Sequence, residues 1–163
     1  MNKQQFEKYQ NIKRYIERLL AQHLRTVWEV KTKCQQKKFE DEIVKKVMQE
    51  FLDAGFLDDR KYAKLWLENQ IKYRPCGRIL CYKKMLARGL GNSLIKEILE
   101  KEYSQEKEEA AARELADKKI KFYRALKGKK MRQKIVSFLK SRGFGDGVVI
   151  KVLEKLNLSL AWE

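Results

Sequence analysis

The chain has one proline, one histidine and three cysteines, and none of its apolar runs approaches 18 residues. The lack of such a run rules out a membrane-spanning helix. The start, Met1-Asn2-Lys3-Gln4-Gln5, lacks the apolar stretch of a secretory leader, so a soluble, cytoplasmic protein is expected. Three cysteines, Cys34, Cys76 and Cys81, are an odd number and argue against a disulfide framework. A tetrahedral metal site is equally poorly supplied, because there is no CxxC pair and no second histidine beside His23. Strands would need alternating apolar runs, and these are lacking too. With Pro75 as the single helix breaker and abundant Leu, Lys, Glu, Gln and Ala, the chain reads as all-α.

Acidic residues are missing from two long intervals. Residues 69 to 96 and 118 to 145 contain no Asp or Glu, while they hold seven and eleven Lys or Arg. The net charge is +16, distributed as +4 over residues 1 to 57, +5 over 58 to 103 and +7 over 104 to 163. A solvated face normally mixes both signs, so cations without acids point to a polyanionic partner.

What is present is a repeat. Shifting the first stretch by 51 positions and the second by 54 aligns Val30/Cys81/Ile135, Cys34/Met85/Leu139, Phe39/Leu90/Phe144, Ile43/Leu94/Val148, Val44/Ile95/Val149, Val47/Ile98/Val152 and Met48/Leu99/Leu153. The same shifts align the basic residues Lys37/Arg88/Arg142 and the N-cap formers Asp41/Asn92/Asp146. Copies too short to close a core alone bury one another as an array. Ile12, Tyr15, Ile16, Leu19 and Leu20 give the first helix an apolar stripe. Asp58-Asp59 opens another helix with Tyr62, Leu65, Trp66, Asn69 and Tyr73 at helical spacing, and Tyr62, Trp66 and Tyr73 are assigned to packing. A third acid-started helix runs from about Glu106 to Tyr123 and Leu126. Gly55, Gly89 and Gly143 suit helix ends, whereas Lys38 stands where the other copies have glycine and implies a looser turn. The expected architecture is an elongated, curved array of three tandem three-helix repeats over residues 1–57, 58–103 and 104–163.

No catalytic constellation is found, so the protein is read as a non-enzyme without a cofactor. His23 has no nucleophile beside it in any motif, and Gly143-Phe144-Gly145-Asp146-Gly147 is preceded by no strand, which makes it a helix end and not a phosphate loop. Trp28, Trp66 and Trp162 and the seven tyrosines are available for stacking on bases, with Tyr62, Trp66 and Tyr73 read first as packing residues. The candidate binding residues are Arg74, Arg78, Lys83, Lys84, Arg88, Lys127, Lys129, Lys130, Arg132, Lys134, Lys140 and Arg142, on the second helices of copies two and three. Arg88, Arg142 and Lys37 have a structural role available as well, since a cation in a last helical turn is stabilised by the helix dipole. Duplex reading by the third helices, in the manner of a helix-turn-helix, is opposed by Glu42, Glu50, Glu97, Glu100, Glu102 and Glu154.

Asp58-Asp59-Arg60-Lys61-Tyr62-Ala63, then Gly77, Met85-Leu86-Ala87-Arg88-Gly89-Leu90 and Arg142-Gly143-Phe144 together resemble the signatures of the bacterial RecX family, over about residues 25 to 156. Ile79 and Leu80 depart from it, standing where many relatives carry further basic residues. The resemblance implies a monomeric, membrane-free regulator that lies in the groove of a RecA recombinase filament on single-stranded DNA and restrains filament growth, ATP hydrolysis and strand exchange. Two other readings stand beside it: a helical module that binds DNA or RNA without a recombinase, and a helical adaptor whose charge serves solubility.

Overall fold

A computed structural model describes residues 2–123, 126 and 128–158. Lys127 and Trp162, singled out above, lie outside these residues. Nine helices and no strand are found among the described residues: α1 (Lys3–Gln22), α2 (Val27–Gln36), α3 (Asp41–Asp53), α4 (Asp59–Tyr73), α5 (Arg78–Leu86), α6 (Asn92–Glu102), α7 (Gln105–Phe122), α8 (Gly128–Ser141) and α9 (Asp146–Lys155). None is long and apolar enough to cross a membrane.

The repeat columns explain the packing. Contrary to the expectation that the copies bury one another, each set of three consecutive helices closes around its own cluster. In the first group Ile12 and Ile16 of α1 meet Val30, Cys34, Val44 and Val47. In the second, Ala63 and Leu67 meet Cys81, Met85, Ile95 and Ile98, and in the third Ala112 and Ala116 meet Ile135, Leu139, Val149 and Val152. The extensive helix contacts all fall inside a group, led by α1 with α3, α4 and α5 with α6, and α7 with α8 and α9. The molecule is therefore extended: at 19.5 kDa it exposes 11027 Å², against about 8500 Å² from the scaling for compact monomers.

Helix starts are set locally. Asn2, Thr26, Asp58 and Ser104 accept hydrogen bonds from the first turns of α1, α2, α4 and α7. Asp41, Asn92 and Asp146 do not cap as expected. They stand one residue inside α3, α6 and α9, behind the N-cap residues Glu40, Gly91 and Gly145, at which no side-chain cap bond is made. Asn92 instead accepts from the Tyr82 hydroxyl at 2.6 Å, and Asp146 pairs with Lys140 at 2.8 Å. As first-turn residues the two aspartates still face the positive helix end. Tyr73 is a second correction: at the last turn of α4 the side chain leaves the core and is 67% exposed.

The turn after each second helix has one shape in all three groups. Gly89 and Gly143 have φ +77° and +79°, and Lys38 takes the same left-handed conformation at φ 56°. The looser turn expected at Lys38 does not occur. Phe39, Leu90 and Phe144 explain this, because each returns its N–H to the carbonyl of Cys34, Met85 or Leu139 and drops its side chain towards the core of its group. The closing contact holds the turn even where the residue lacks glycine's freedom. Thermal or denaturant unfolding should find Lys38→Gly more stable by about 0.5–1 kcal/mol, the left-handed penalty less glycine's entropy. Gly143→Ala should lose about 1–3 kcal/mol, since its methyl would also meet Leu80 Cβ at 2.3 Å.

Candidate binding surface and the joints that position it

Neighbouring groups meet through the ends of their second helices. At the first joint the start of α2 sits on the turn that ends α5. The Thr26 hydroxyl donates to the Arg88 carbonyl at 2.7 Å and accepts from the Glu29 N–H at 3.1 Å, while the Val27 N–H donates to Asp59 Oδ1 of α4 at 2.9 Å. Arg88 reaches back to Glu29 at 2.8 Å, and the Trp28 side chain lies against Gly89.

The second joint repeats this with α5 on the turn that ends α8. The Gly77 N–H donates to the Arg142 carbonyl at 2.9 Å, and the Arg78 N–H donates to Glu108 Oε1 of α7 at 2.8 Å. Thr26 and Gly77 are the same position of the repeat, as are Arg88 and Arg142. Here a side chain has no room, because a Cβ on Gly77 would stand 2.1 Å from the Gly143 oxygen. Helix termini need such partners, since the first N–H groups and last carbonyls have none within the helix.

These joints string α8, α5 and α2 into one row. On α5 the buried side is Cys81 and Met85, and Ile79, Lys83 and Leu86 are exposed. On α8 the buried side is Met131, Ile135 and Leu139, and Lys129, Lys130, Lys134 and Lys140 are exposed. The outward side of α2 carries Trp28, Lys31 and Gln35. The outward cations of the row are thus most numerous on α8. Ile79 and Leu80 also serve the second joint, packing at Gly145 and Gly143.

Of the eleven described candidate residues, only Arg88 and Lys140 are ion-paired. Arg74 ends α4, with its N–H bonded to the Gln70 carbonyl, and Lys84 turns to Gln70 of the same helix at 3.3 Å. Arg142 lies over the Phe138 ring at 5.7 Å, and Arg132 has a buried Nε without a partner among the described residues. Arg78 is half-buried at the joint. Of the candidate residues, Lys83, Lys129, Lys130 and Lys134 are those left outward and without an ion pair among the described residues.

The acids are engaged elsewhere. Glu97 receives two hydrogen bonds from Arg60, at 2.7 and 2.8 Å, and a third from Lys101, which lower its pKa to about 2. Glu102 pairs with Lys64, Glu42 with Lys45, Glu109 with Lys151 and Lys155, and Glu50 with Tyr9 and Lys13. First and third helices neutralise each other there. Histidine 23 ends α1 at the mouth of an open cleft at the first joint, of about 360 Å³, shared with Arg25, Tyr62, Trp66 and Arg88. No metal-binding cluster occurs among the described residues.

The joint carboxylates are the functional residues that the repeat columns miss. Asp58 caps its own helix, but Asp59 crosses to α2; Glu108 crosses to α5 from a helix that the constant shifts do not align with α4.

Three-helix groups joined by crossed helix ends define the class: an all-helical repeat protein. Residues 106–153 match the family profile described as RecX, third three-helix domain. Proteins named regulatory protein RecX are similar along most of the chain. The Chlorobium phaeobacteroides protein is 27% identical over 141 residues, 85% of this chain and 89% of its own length. The Lactococcus lactis subsp. cremoris protein is 28% identical over 116 residues, 71% of this chain and 43% of its own, so the chain spans under half of that relative. The fold matches the crystal structure of RecX from Lactobacillus salivarius with a TM-score of 0.87 at 17% identity, covering 94% of this chain and 99% of that one. RecX is therefore the family that the chain resembles in sequence and in fold.

Burial, the largest influence, raises the carboxyl pKa of Glu108 above its ordinary 4.5 and that of Asp59 above 3.8, against the N–H each accepts. Their contribution is fully present below the unfolded pKa and is lost as pH rises through the folded one. Glu108→Gln keeps an acceptor for Arg78 and removes the buried charge. Its stability relative to the parent should therefore improve between pH 4 and pH 7, whereas Glu108→Ala should lose about 1–3 kcal/mol by stranding the Arg78 N–H. Denaturant unfolding across that pH range measures both.

Proposed function

We propose that the chain is a non-enzymatic cytoplasmic regulator that lies along a RecA-type recombinase filament on single-stranded DNA and restrains its growth, ATP hydrolysis and strand exchange. The observation that carries this reading is the separation of charge. Acids are taken up between first and third helices, while Lys83, Lys129, Lys130 and Lys134 stay unpaired among the described residues along the row of second helices. Similarity to proteins named regulatory protein RecX supports the partner.

An extended array suits a fibre. Residues 1–57, 58–103 and 104–163 each form one unit of contact, and linked weak contacts add through effective concentration. A single copy is enough. No cofactor is needed, because a protein that binds one filament state better than another shifts their equilibrium by that difference alone. Carboxylates of the recombinase and phosphates of the strand both suit these cations.

The basic third group also favours a second reading, direct nucleic-acid binding without a recombinase. Titration into a RecA-type protein with single-stranded DNA and ATP separates the two. Falling ATP hydrolysis and filament co-sedimentation support the first; equal, salt-sensitive binding to naked strands with unchanged hydrolysis supports the second. Charge reversal of Lys129, Lys130 and Lys134 to glutamate should weaken filament binding at low salt by tenfold or more, about 1.4 kcal/mol or above, with the thermal midpoint unchanged. Undiminished binding by that variant removes these lysines from the interface.

A further inference from the structure

Two of the three cysteines are paired in space. Cys76 Sγ and Cys81 Sγ are 3.4 Å apart, both buried, across the start of α5. Cys76 lies in the short connector between α4 and α5 and immediately precedes Gly77, whose N–H forms the second joint. Its carbonyl is held by the buried Tyr103 hydroxyl at 3.0 Å. Core packing needs only two small apolar groups here, and nothing in the binding surface uses either sulfur.

We propose that Cys76 and Cys81 are an oxidisable dithiol that closes reversibly to a disulfide beside the second joint. A disulfide needs the sulfurs at about 2.05 Å, so they must close by little more than an ångström from 3.4 Å. The two thiols have different parts. Hydrogen bonding to Cys81 lowers the Cys76 pKa, with the positive charges of Lys84 and Arg142 acting in the same sense against burial, whereas the same hydrogen bond and burial keep Cys81 protonated. Cys76 thiolate attacks a hydroperoxide oxygen, the O–O bond breaks, and the leaving oxygen takes a proton, giving Cys76 sulfenic acid and water or an alcohol. Cys81 then attacks the sulfenic sulfur, its proton leaves with the hydroxyl as water, and the S–S bond forms. The two sulfurs are oxidised and the peroxide is reduced. Access comes through opening of the connector at residues 74–77, which is outside any helix.

Cys34 is the internal reference. It is buried in the first group with no second cysteine there, and burial raises its pKa to about 11. Incubation of the full chain with excess hydrogen peroxide, followed by alkylation under denaturing conditions and mass spectrometry, tests the proposal. The expected result is loss of two of the three free thiols, a mass lower by two hydrogens, and full return of both thiols with dithiothreitol. Trypsin places Cys76 in the peptide from Tyr73 to Arg78 and Cys81 in that from Ile79 to Lys83, so the disulfide appears as a linked pair absent from the reduced sample. In Cys81→Ser the sulfenic acid should persist and be trapped by dimedone at Cys76. No linked pair in the parent, oxidation spread equally to Cys34, or trapping at Cys34 in the variant would each overturn the proposal.

Discussion

The array depends on one arrangement, a second helix whose exposed N–H groups are satisfied by the next group along the chain. The Val27 and Arg78 N–H groups donate to a carboxylate from a first helix, and the carbonyl that ends another second helix accepts from the Gly77 N–H at one joint and from the Thr26 hydroxyl at the other. Both contacts place the negative end of one helix dipole, or a full negative charge, at the positive end of another. The three buried cores are separate, and apolar contact across the joints is made at their edges, by Trp28 at Gly89 and by Leu80 at Gly143. Polar groups at helix ends, with these edge contacts, set how the groups are oriented, and the cores set that each group folds.

This division of labour decides what the sequence reveals. Columns such as Val30/Cys81/Ile135 recur because each core needs the same apolar positions, and recurrence is visible without coordinates. The basic column Lys37/Arg88/Arg142 was equally visible, yet at Arg88 and Arg142 the joints use the backbone carbonyl, which no side-chain pattern reports. Asp59 and Glu108 do the same work from positions that fall out of register, so a gapless superposition separates them. Lys38 shows the opposite case. Its side chain argued for a different turn, but Phe39 packs as Leu90 and Phe144 do, and tertiary contact overrode the local preference of about 1–2 kcal/mol against the left-handed region.

Charge was legible as a quantity and less so as a direction. The acid-free intervals fall on α5 and α8, but helix geometry then distributes their cations over different sides. Lys84 turns to α4, Arg88 to Glu29 and Arg142 to a phenyl ring, so the outward basic side narrows to a few lysines, most of them on α8. Trp28, Ile79 and Leu86 occupy the corresponding outward positions nearer the first group. Lys31 shares the outward side of α2 with Trp28, so cations run the length of the row and are densest on α8.

The two joints are not equivalent, and the difference bears on how the array would follow a curved partner. The first is made by side chains: the Thr26 hydroxyl, the Trp28 ring and an Arg88–Glu29 pair whose side chains are 44% and 18% exposed. Such a pair contributes about 0–1 kcal/mol and yields to salt. The second brings backbone against backbone at Gly77 and Gly143, with no space for even a methyl group. Side chains can rotate and re-form their contacts over several ångströms, whereas two main chains in contact cannot move without breaking the hydrogen bond between them. Bending at the second joint must therefore break a backbone hydrogen bond, whereas at the first it need only rearrange side chains.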